Sequence, residues 1–268
     1  MPDLTSCWAR FERGREHIRV FEGAVSEWAR RGPYAFRHQV SPDLTRFSMV
    51  AEERVPPDLV RWALIVCEAF ANLRCSLDHL VWAIGERQGV IAGLSEAHER
   101  EICFPVQHSP DKFRSASGRN LRRFSSAVLA AVESVQPYNR PHPELPPLLG
   151  LLSHIDNVNK HRLILPVCQV VGALNTKVSN ITPPILAAEM LRIDYAIGEV
   201  RHGTEVLAIV TSKPQRTAVT FNAHIELGAA LAIDKPPDTS VNFRNVSVLF
   251  NEIATEVKTV IDAVAASA

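Results

Sequence analysis

The spacing of apolar residues changes near residue 161 of this 268-residue chain, and this change constrains the fold more than any other feature. Before that point, apolar residues recur every three or four positions in four stretches, as on helices with one buried side. After it, segments of strand length alternate or run apolar, and turn-forming residues separate them. Helices followed by strands indicate an α+β fold.

The first part is predicted to be a helical bundle that contains one small β-hairpin. Pro56 and Pro57 open its longest helix, and a proline-rich connection over residues 136–147 separates the last two helical stretches. The predicted elements are helices over about residues 5–31, 58–87, 109–135 and 148–160, and a hairpin that pairs residues 34–40 with 46–54.

The second part is predicted to be an antiparallel β-meander followed by a helix. Turn signals separate its last three strands, and a proline-bearing loop at Asp234–Asp238 precedes a final amphipathic helix. The predicted strands cover about residues 163–171, 191–200, 206–212 and 218–227. We therefore predict two domains, residues 1–161 and 162–268, or one continuous domain. The final helix could pack on the sheet or return to the bundle.

The charge balance excludes nucleic-acid binding through an overall positive charge, because 29 Lys and Arg face 29 Asp and Glu. A local patch would be needed, and one small cluster of arginines lies on a predicted helix. For this cluster a solvated helix surface is the favoured interpretation. It consists of Arg114, Arg119, Arg122 and Arg123.

Cysteine usage and hydropathy favour a cytoplasmic protein. The five cysteines are scattered and form no CxxC pair, which argues against disulfide partners and against a cysteine-rich zinc site. The first twenty residues lack the apolar region of a secretory signal. No stretch approaches the ~20 apolar residues that span a bilayer. We therefore predict no membrane association.

A polar stripe runs along the longest predicted helix, whose opposite side is apolar. At ~100° per residue its members share one side of the helix. Arg74 and Asp78 lie beside the stripe, one turn apart, and can form an ion pair. Burial of polar groups is costly unless they are paired, so this stripe is the first candidate site. Its members are Glu68, Asn72, Cys75 and His79.

A second polar cluster ends the helix predicted over residues 148–160. The helix dipole stabilises basic side chains at a helix C-terminus, which explains Lys160, His161 and Arg162 without any function. Asp156 and Lys160 are spaced to pair along the helix. The cluster consists of His154, Asp156, Asn157, Lys160, His161 and Arg162.

The segment Arg74-Cys-Ser-Leu-Asp-His79 fits the pattern R-x4-H and resembles the HEPN superfamily of helical bundles, many of them metal-independent ribonucleases. The resemblance covers six residues, and Cys75 stands where the family usually has a polar residue. It implies a homodimer, because Arg74 and His79 lie ~140° apart on one helix and the family brings two copies together. NLRCSLDHLVW with the later DNVNKHR also resembles a group of bacterial proteins without an assigned activity.

The resemblance implies cleavage of RNA through a 2′,3′-cyclic phosphate. A histidine base would take the proton of the 2′-hydroxyl, which then attacks the adjacent phosphorus. Arg74 would stabilise the charge on the phosphoryl oxygens, and Asp78 would orient an imidazole or Arg74. The implied catalytic residues are Arg74, Asp78, His79, Lys160 and His161, and the implied substrate contacts are Asn72, Asn157 and Arg162. No cofactor or metal is required.

Two other functions stay open from the residues alone. Glu68, His79, His154 and His161 are of the types that bind zinc or iron in a helical bundle, although no HExxH or ExxH pair is present. Alternatively, the protein is a non-catalytic binding or structural protein in which Arg74 pairs with Glu68 or Asp78 in a buried network. The phosphate-binding loop, the dinucleotide fingerprint and the GxSxG elbow are absent.

Overall fold

The structure of the protein is a computed structural model that describes residues 2–140, 147–161, 167–171, 177–186, 189–196, 199–224, 227–231 and 244–268. Arg162 and the predicted loop at Asp234–Asp238 lie outside the described residues. So do parts of the predicted proline-rich connection and of three predicted strands, and the side chain of His161.

The described elements confirm the predicted α+β fold class, with N-terminal helices, a hairpin, antiparallel strands and a final helix. The helices are α1 (Thr5–Arg30), α2 (Leu59–Arg87), α3 (Glu96–Glu99), α4 (Pro110–Asn120), α5 (Ser126–Ser134), α6 (Leu148–His161) and α7 (Val246–Ala265). The strands are β1 (Tyr34–Val40), β2 (Arg46–Glu53), β3 (Val167–Val171), β4 (Lys177–Thr182), β5 (Met190–Tyr195), β6 (Glu205–Thr211), β7 (Thr220–His224), β8 (Leu227–Leu231) and β9 (Arg244–Asn245).

One compact unit comprises residues 1–22, 60–165 and 233–268 and contains most of the helices. The final helix belongs to it: the rings of Phe70 on α2 and Phe250 on α7 lie 5.6 Å apart between centroids, and both side chains are fully buried. Helix α7 therefore returns to the bundle, one of the two arrangements that the sequence left open. The predicted boundary at residue 161 stays a prediction.

Helix α1 packs antiparallel on α2 in this unit. Near the start of α2, the ring of Phe21 meets Trp62 edge to face, with 6.0 Å between centroids. Further along, Gly14 approaches the main chain of α2 so closely that an added Cβ atom would lie 2.9 Å from the carbonyl oxygen of Ala69. This close approach brings polar residues of α1 within reach of the polar stripe on α2.

The second compact unit comprises residues 23–59 and 166–232 and contains a four-stranded sheet in the order β1-β2-β6-β5, antiparallel throughout. The predicted hairpin forms β1 and β2, and β6 pairs with β2 in a register that places Phe47 opposite Ile209. Residues 47–51 of β2 are all buried, so both faces of this strand are covered, because successive side chains point to opposite faces. Elsewhere β4 pairs with β7, and β3 with β8.

An ion-pair network lies on the four-stranded sheet. The Arg46 guanidinium donates to Oδ2 of Asp194 at 2.6 Å and to both carboxylate oxygens of Glu205. Ser48 donates to the same Glu205 carboxylate. The hydrogen bonds from Arg46 lower the pKa values of both Asp194 and Glu205. The network ties three neighbouring strands together through side chains.

No helix among the described residues has the length and apolar character needed to cross a membrane. The side chains of Cys7, Cys67, Cys75 and Cys103 are free thiols. The cytoplasmic location and the homodimer stay predictions.

Candidate functional site

Arg74 and Asp78 on α2 form a clamp around the main chain of Phe104, called here the Phe104 clamp. Nη1 of Arg74 donates to Oδ1 of Asp78 at 2.8 Å, and Nη2 donates to the Phe104 carbonyl oxygen at 2.8 Å. The same Oδ1 of Asp78 accepts the amide hydrogen of Phe104 at 2.8 Å. The pairing of Arg74 with Asp78 follows the predicted helical spacing, and Glu68 takes no part in it.

The clamp supplies the hydrogen bonds that the irregular segment around Phe104 cannot obtain from a strand partner. The Phe104 side chain is fully buried, and buried main-chain groups require partners. The side chain of Gln136 is a second support, because it accepts from the Gln107 amide at 2.8 Å and donates to the Pro105 carbonyl at 2.9 Å. Side chains from two directions thus fix this segment against the bundle.

The polar residues of α6 share a neighbourhood with those of α2. Nζ of Lys160 lies 2.5 Å from Oδ2 of Asp156, whose side chain is buried, whereas 57% of the Lys160 side chain is exposed. Burial raises the pKa of the Cys75 thiol on α2. The carboxylates of Asp78 and Asp156 raise this pKa further, and Lys160 acts in the opposite direction. The two polar clusters of the sequence therefore lie within electrostatic reach of one another.

Cys103 connects this neighbourhood to α4. Asn120 at the end of α4 donates to the Cys103 Sγ at 3.0 Å. Burial raises the pKa of the Cys103 thiol, as does the Asp78 carboxylate, whereas Arg74, Arg119 and Lys160 lower it. Since the pKa values of both Cys75 and Cys103 are raised, neither thiol is a thiolate nucleophile at neutral pH.

The first two members of the polar stripe, Glu68 and Asn72, contact α1. Oε2 of Glu68 lies 3.3 Å from Nδ1 of His17, and Arg10 donates to the Asn72 side chain at 3.4 Å. Asn72, a predicted substrate contact, also donates to the Glu68 carbonyl. Sequence reasoning missed both partners on α1. Their seven-residue spacing, which puts Arg10 and His17 on one side of a helix, is the signal that could have identified them.

His79 is half-buried, and its ring makes no hydrogen bond or ion pair with any described residue. Asn157 is exposed on α6. Nε2 of His154 is buried without a hydrogen-bond partner in the described part of the chain. The roles of Arg162 and of the His161 imidazole stay predictions, as does the proximity of His79 to His161.

The metal-site alternative gains no support from the described residues, among which no three His, Cys, Asp or Glu side chains converge on one point. Glu68 contacts His17 on α1, and 59% of its side chain is exposed. Among the described residues, these side chains therefore form no ligand shell.

No family model, no curated protein and no solved structure matches this chain. The function must be inferred from the residues of the site.

Proposed function

We propose that this protein is a metal-independent endoribonuclease that cleaves RNA through a 2′,3′-cyclic phosphate. The main support is that polar residues of α2 and α6 lie within electrostatic reach of one another, because Asp156 and Lys160 on α6 act on the pKa of Cys75 on α2. The side chain of Lys160 is 57% exposed, and α2 also carries Arg74, Asp78 and His79. A cation near a histidine base is suited to phosphoryl chemistry.

In this mechanism His79 takes the proton from the 2′-hydroxyl. The freed oxygen attacks the adjacent phosphorus, the bond from phosphorus to the 5′-oxygen breaks, and the leaving oxygen takes a proton. Lys160 stabilises the charge on the non-bridging oxygens, and His161 is the proposed proton donor. The absence of described hydrogen bonds to the His79 ring leaves its nitrogens available for the first step.

Arg74 and Asp78 are assigned here as positioning residues. Only 12% of the Arg74 side chain is exposed, and its described hydrogen bonds go to Asp78 and to the Phe104 carbonyl. A guanidinium held in this way fixes the segment that carries Cys103 and Phe104 against α2. The pair therefore acts through the shape of the site.

A second candidate is a non-catalytic binding protein, and the Phe104 clamp favours it. A clamp that satisfies buried main-chain groups has a structural role whether or not RNA is cleaved. In that case the polar stripe fixes the packing of α1, α2 and the segment around Phe104, and the binding surface lies elsewhere.

Cleavage of a mixed RNA pool, with and without chelator, tests the proposal. His79→Ala should reduce the rate at least ~100-fold, the usual contribution of a general base. Lys160→Met should reduce it by a similar factor because a stabilising charge is removed. His202→Ala and Lys213→Met, which change exposed residues of the sheet unit, are the matched controls and should leave the rate unchanged.

Mass spectrometry should find 2′,3′-cyclic phosphate termini on the products. Full cleavage by folded His79→Ala protein would reject the mechanism, and cleavage that a chelator abolishes would indicate a metal site. Absence of cleavage by the wild-type protein under all conditions would favour the binding protein.

A further inference from the structure

A shallow recess with a cavity volume of about 20 Å³ lies between the start of the segment around Phe104 and the end of α4, and we call it the arginine cleft. Three guanidinium groups line it, from Arg119, Arg122 and Arg123, against one carboxylate, from Glu101. Three of the four arginines that the sequence placed on a solvated helix surface thus line a concave site.

The charges of these arginines are not neutralised within the described chain. Arg119 donates to the side-chain oxygen of its neighbour Asn120, a neutral group, and Arg122 and Arg123 form no ion pair with any described residue. By contrast, Arg114 on α4 pairs with Asp111. An excess of positive charge in a recess attracts anions, because its low-dielectric walls concentrate the field.

The floor of the arginine cleft is apolar. Its members are Val90, Leu94, Ile102 and Phe124. Phe124 is buried, and its ring approaches Gly85 closely on α2, so this part of the floor is fixed. A cationic rim over an apolar floor suits a ligand with a phosphate and a flat, weakly polar base.

The arginine cleft adjoins the candidate site through the main chain. Ile102 lines the cleft and Phe104 is held by the clamp, so at most about 7 Å of extended chain separates the two residues. Asn120, which also lines the cleft, binds the intervening Cys103. A strand that occupies the cleft would reach the clamp with its next nucleotide units.

We propose that the arginine cleft binds the phosphate of a nucleotide unit, and that this unit belongs to the RNA strand cleaved at the neighbouring site. The second part rests on the proposed function, whereas binding of the phosphate does not. A free mononucleotide offers the same chemistry, and the experiment separates the two sources.

The test measures binding of a short, fluorescent 2′-O-methyl RNA by anisotropy at several salt concentrations. The blocked 2′-oxygen prevents cleavage, so binding is observed alone. The double variant Arg122→Gln/Arg123→Gln should bind at least tenfold more weakly. Its plot of log K against log salt should be shallower by about 0.7 for each phosphate of the single strand that the variant no longer neutralises.

The matched control is Arg100→Gln/Arg114→Gln, which removes two arginines that are ion-paired outside the cleft. It should change affinity less than twofold, and Arg122→Lys/Arg123→Lys should recover most of the salt dependence. The circular dichroism of each variant must match that of the wild type. Equal weakening of binding in the cleft and control variants, or no binding by the wild type, would overturn the proposal.

Competition by adenosine 5′-monophosphate identifies the source of the phosphate. Weak competition supports an RNA strand, and tight competition supports a free nucleotide. If the cleft binds RNA but the wild-type protein cleaves none, the binding proposal stands and the ribonuclease proposal fails. If the cleft substitutions leave cleavage at subsaturating RNA unaffected, the ribonuclease proposal stands, and the proposal that the cleft binds the cleaved strand is rejected.

Discussion

Arg74 and Asp78 bind opposite ends of the same residue, because the guanidinium donates to the carbonyl of Phe104 and the carboxylate accepts from its amide. They also bind each other, so three hydrogen bonds close a ring around one buried residue. Loss of any one member leaves the other two with unpaired groups. The clamp should therefore contribute to stability more than a surface ion pair at the same spacing does.

We predict that Arg74→Ala lowers the free energy of unfolding by about 1–3 kcal/mol, the usual cost of leaving buried polar groups unsatisfied. Urea denaturation with an unchanged m-value would measure it. Arg13→Ala is the control, since Arg13 pairs with Glu16 on an exposed surface, and its effect should stay within about 0.5 kcal/mol. Equal effects of the two substitutions would show that the clamp has no special role.

Two glycines of α1 should respond to alanine in opposite directions. Gly14→Ala places a Cβ atom against the carbonyl of Ala69, so α1 must shift and stability should fall by about 1–3 kcal/mol. Gly23→Ala meets nothing within 4 Å and should stabilise the helix by about 0.5–1 kcal/mol. Thermal unfolding of both variants measures the difference. A stabilised Gly14→Ala variant would contradict the close packing of α1 on α2.

Acid should weaken the ion-pair network of the sheet. Arg46 lowers the pKa values of Asp194 and Glu205 from their ordinary values of 3.8 and 4.5. The contribution of these two carboxylates to the free energy of unfolding is therefore complete above the ordinary values. It is lost as the pH falls through the lower pKa values of the folded state. The difference in unfolding free energy between the wild type and Arg46→Met should therefore be largest near neutral pH and shrink below about pH 4.5.

Urea denaturation from neutral pH down to about pH 3 measures this difference, within the acid range in which carboxylates titrate. Arg37→Met is the control, because the pair of Arg37 with Glu52 is more exposed, and its difference from the wild type should stay small throughout. A difference for Arg46→Met that does not vary with pH would contradict the prediction.

The thiols of Cys7, Cys75 and Cys103 should react slowly with alkylating reagents in the folded protein. Burial raises the pKa of Cys7 to about 12, and the pKa values of Cys75 and Cys103 are also raised. Iodoacetamide at mildly alkaline pH should modify Cys75 and Cys103 more slowly than free cysteine, and Cys7 only after unfolding. Mass spectrometry of peptides with and without urea checks the order. Rapid labelling of Cys75 in the folded state would indicate a reactive thiolate.

The elements that can be predicted from the sequence are those with a local pattern. Helix α2 is predictable within a residue or two, because its apolar residues recur at helical spacing and prolines precede it. The hairpin is predictable because a turn separates two extended runs. The pairing of β2 with β6 is not, since it joins residues more than 150 positions apart, such as Phe47 and Ile209.

The same limit applies to the candidate site. The pairs Arg74–Asp78 and Asp156–Lys160 can be predicted, because each follows the spacing of one helical turn. The third member of the clamp cannot, because Arg74 and Asp78 bind the main chain of Phe104, and every residue other than proline has the same main-chain groups. The arginine cleft cannot be predicted from the sequence either, because a helical pattern does not distinguish a concave surface from an open one.

The contact of Phe70 with Phe250 also bears on how the protein folds during synthesis. About 180 residues separate the two rings along the chain. At roughly 5–20 residues per second, α7 leaves the ribosome some 10–35 s after α2. Throughout that interval the apolar side of α2 lacks its final neighbour, and exposed apolar surface promotes aggregation. The nascent chain should therefore depend on chaperones until α7 is complete.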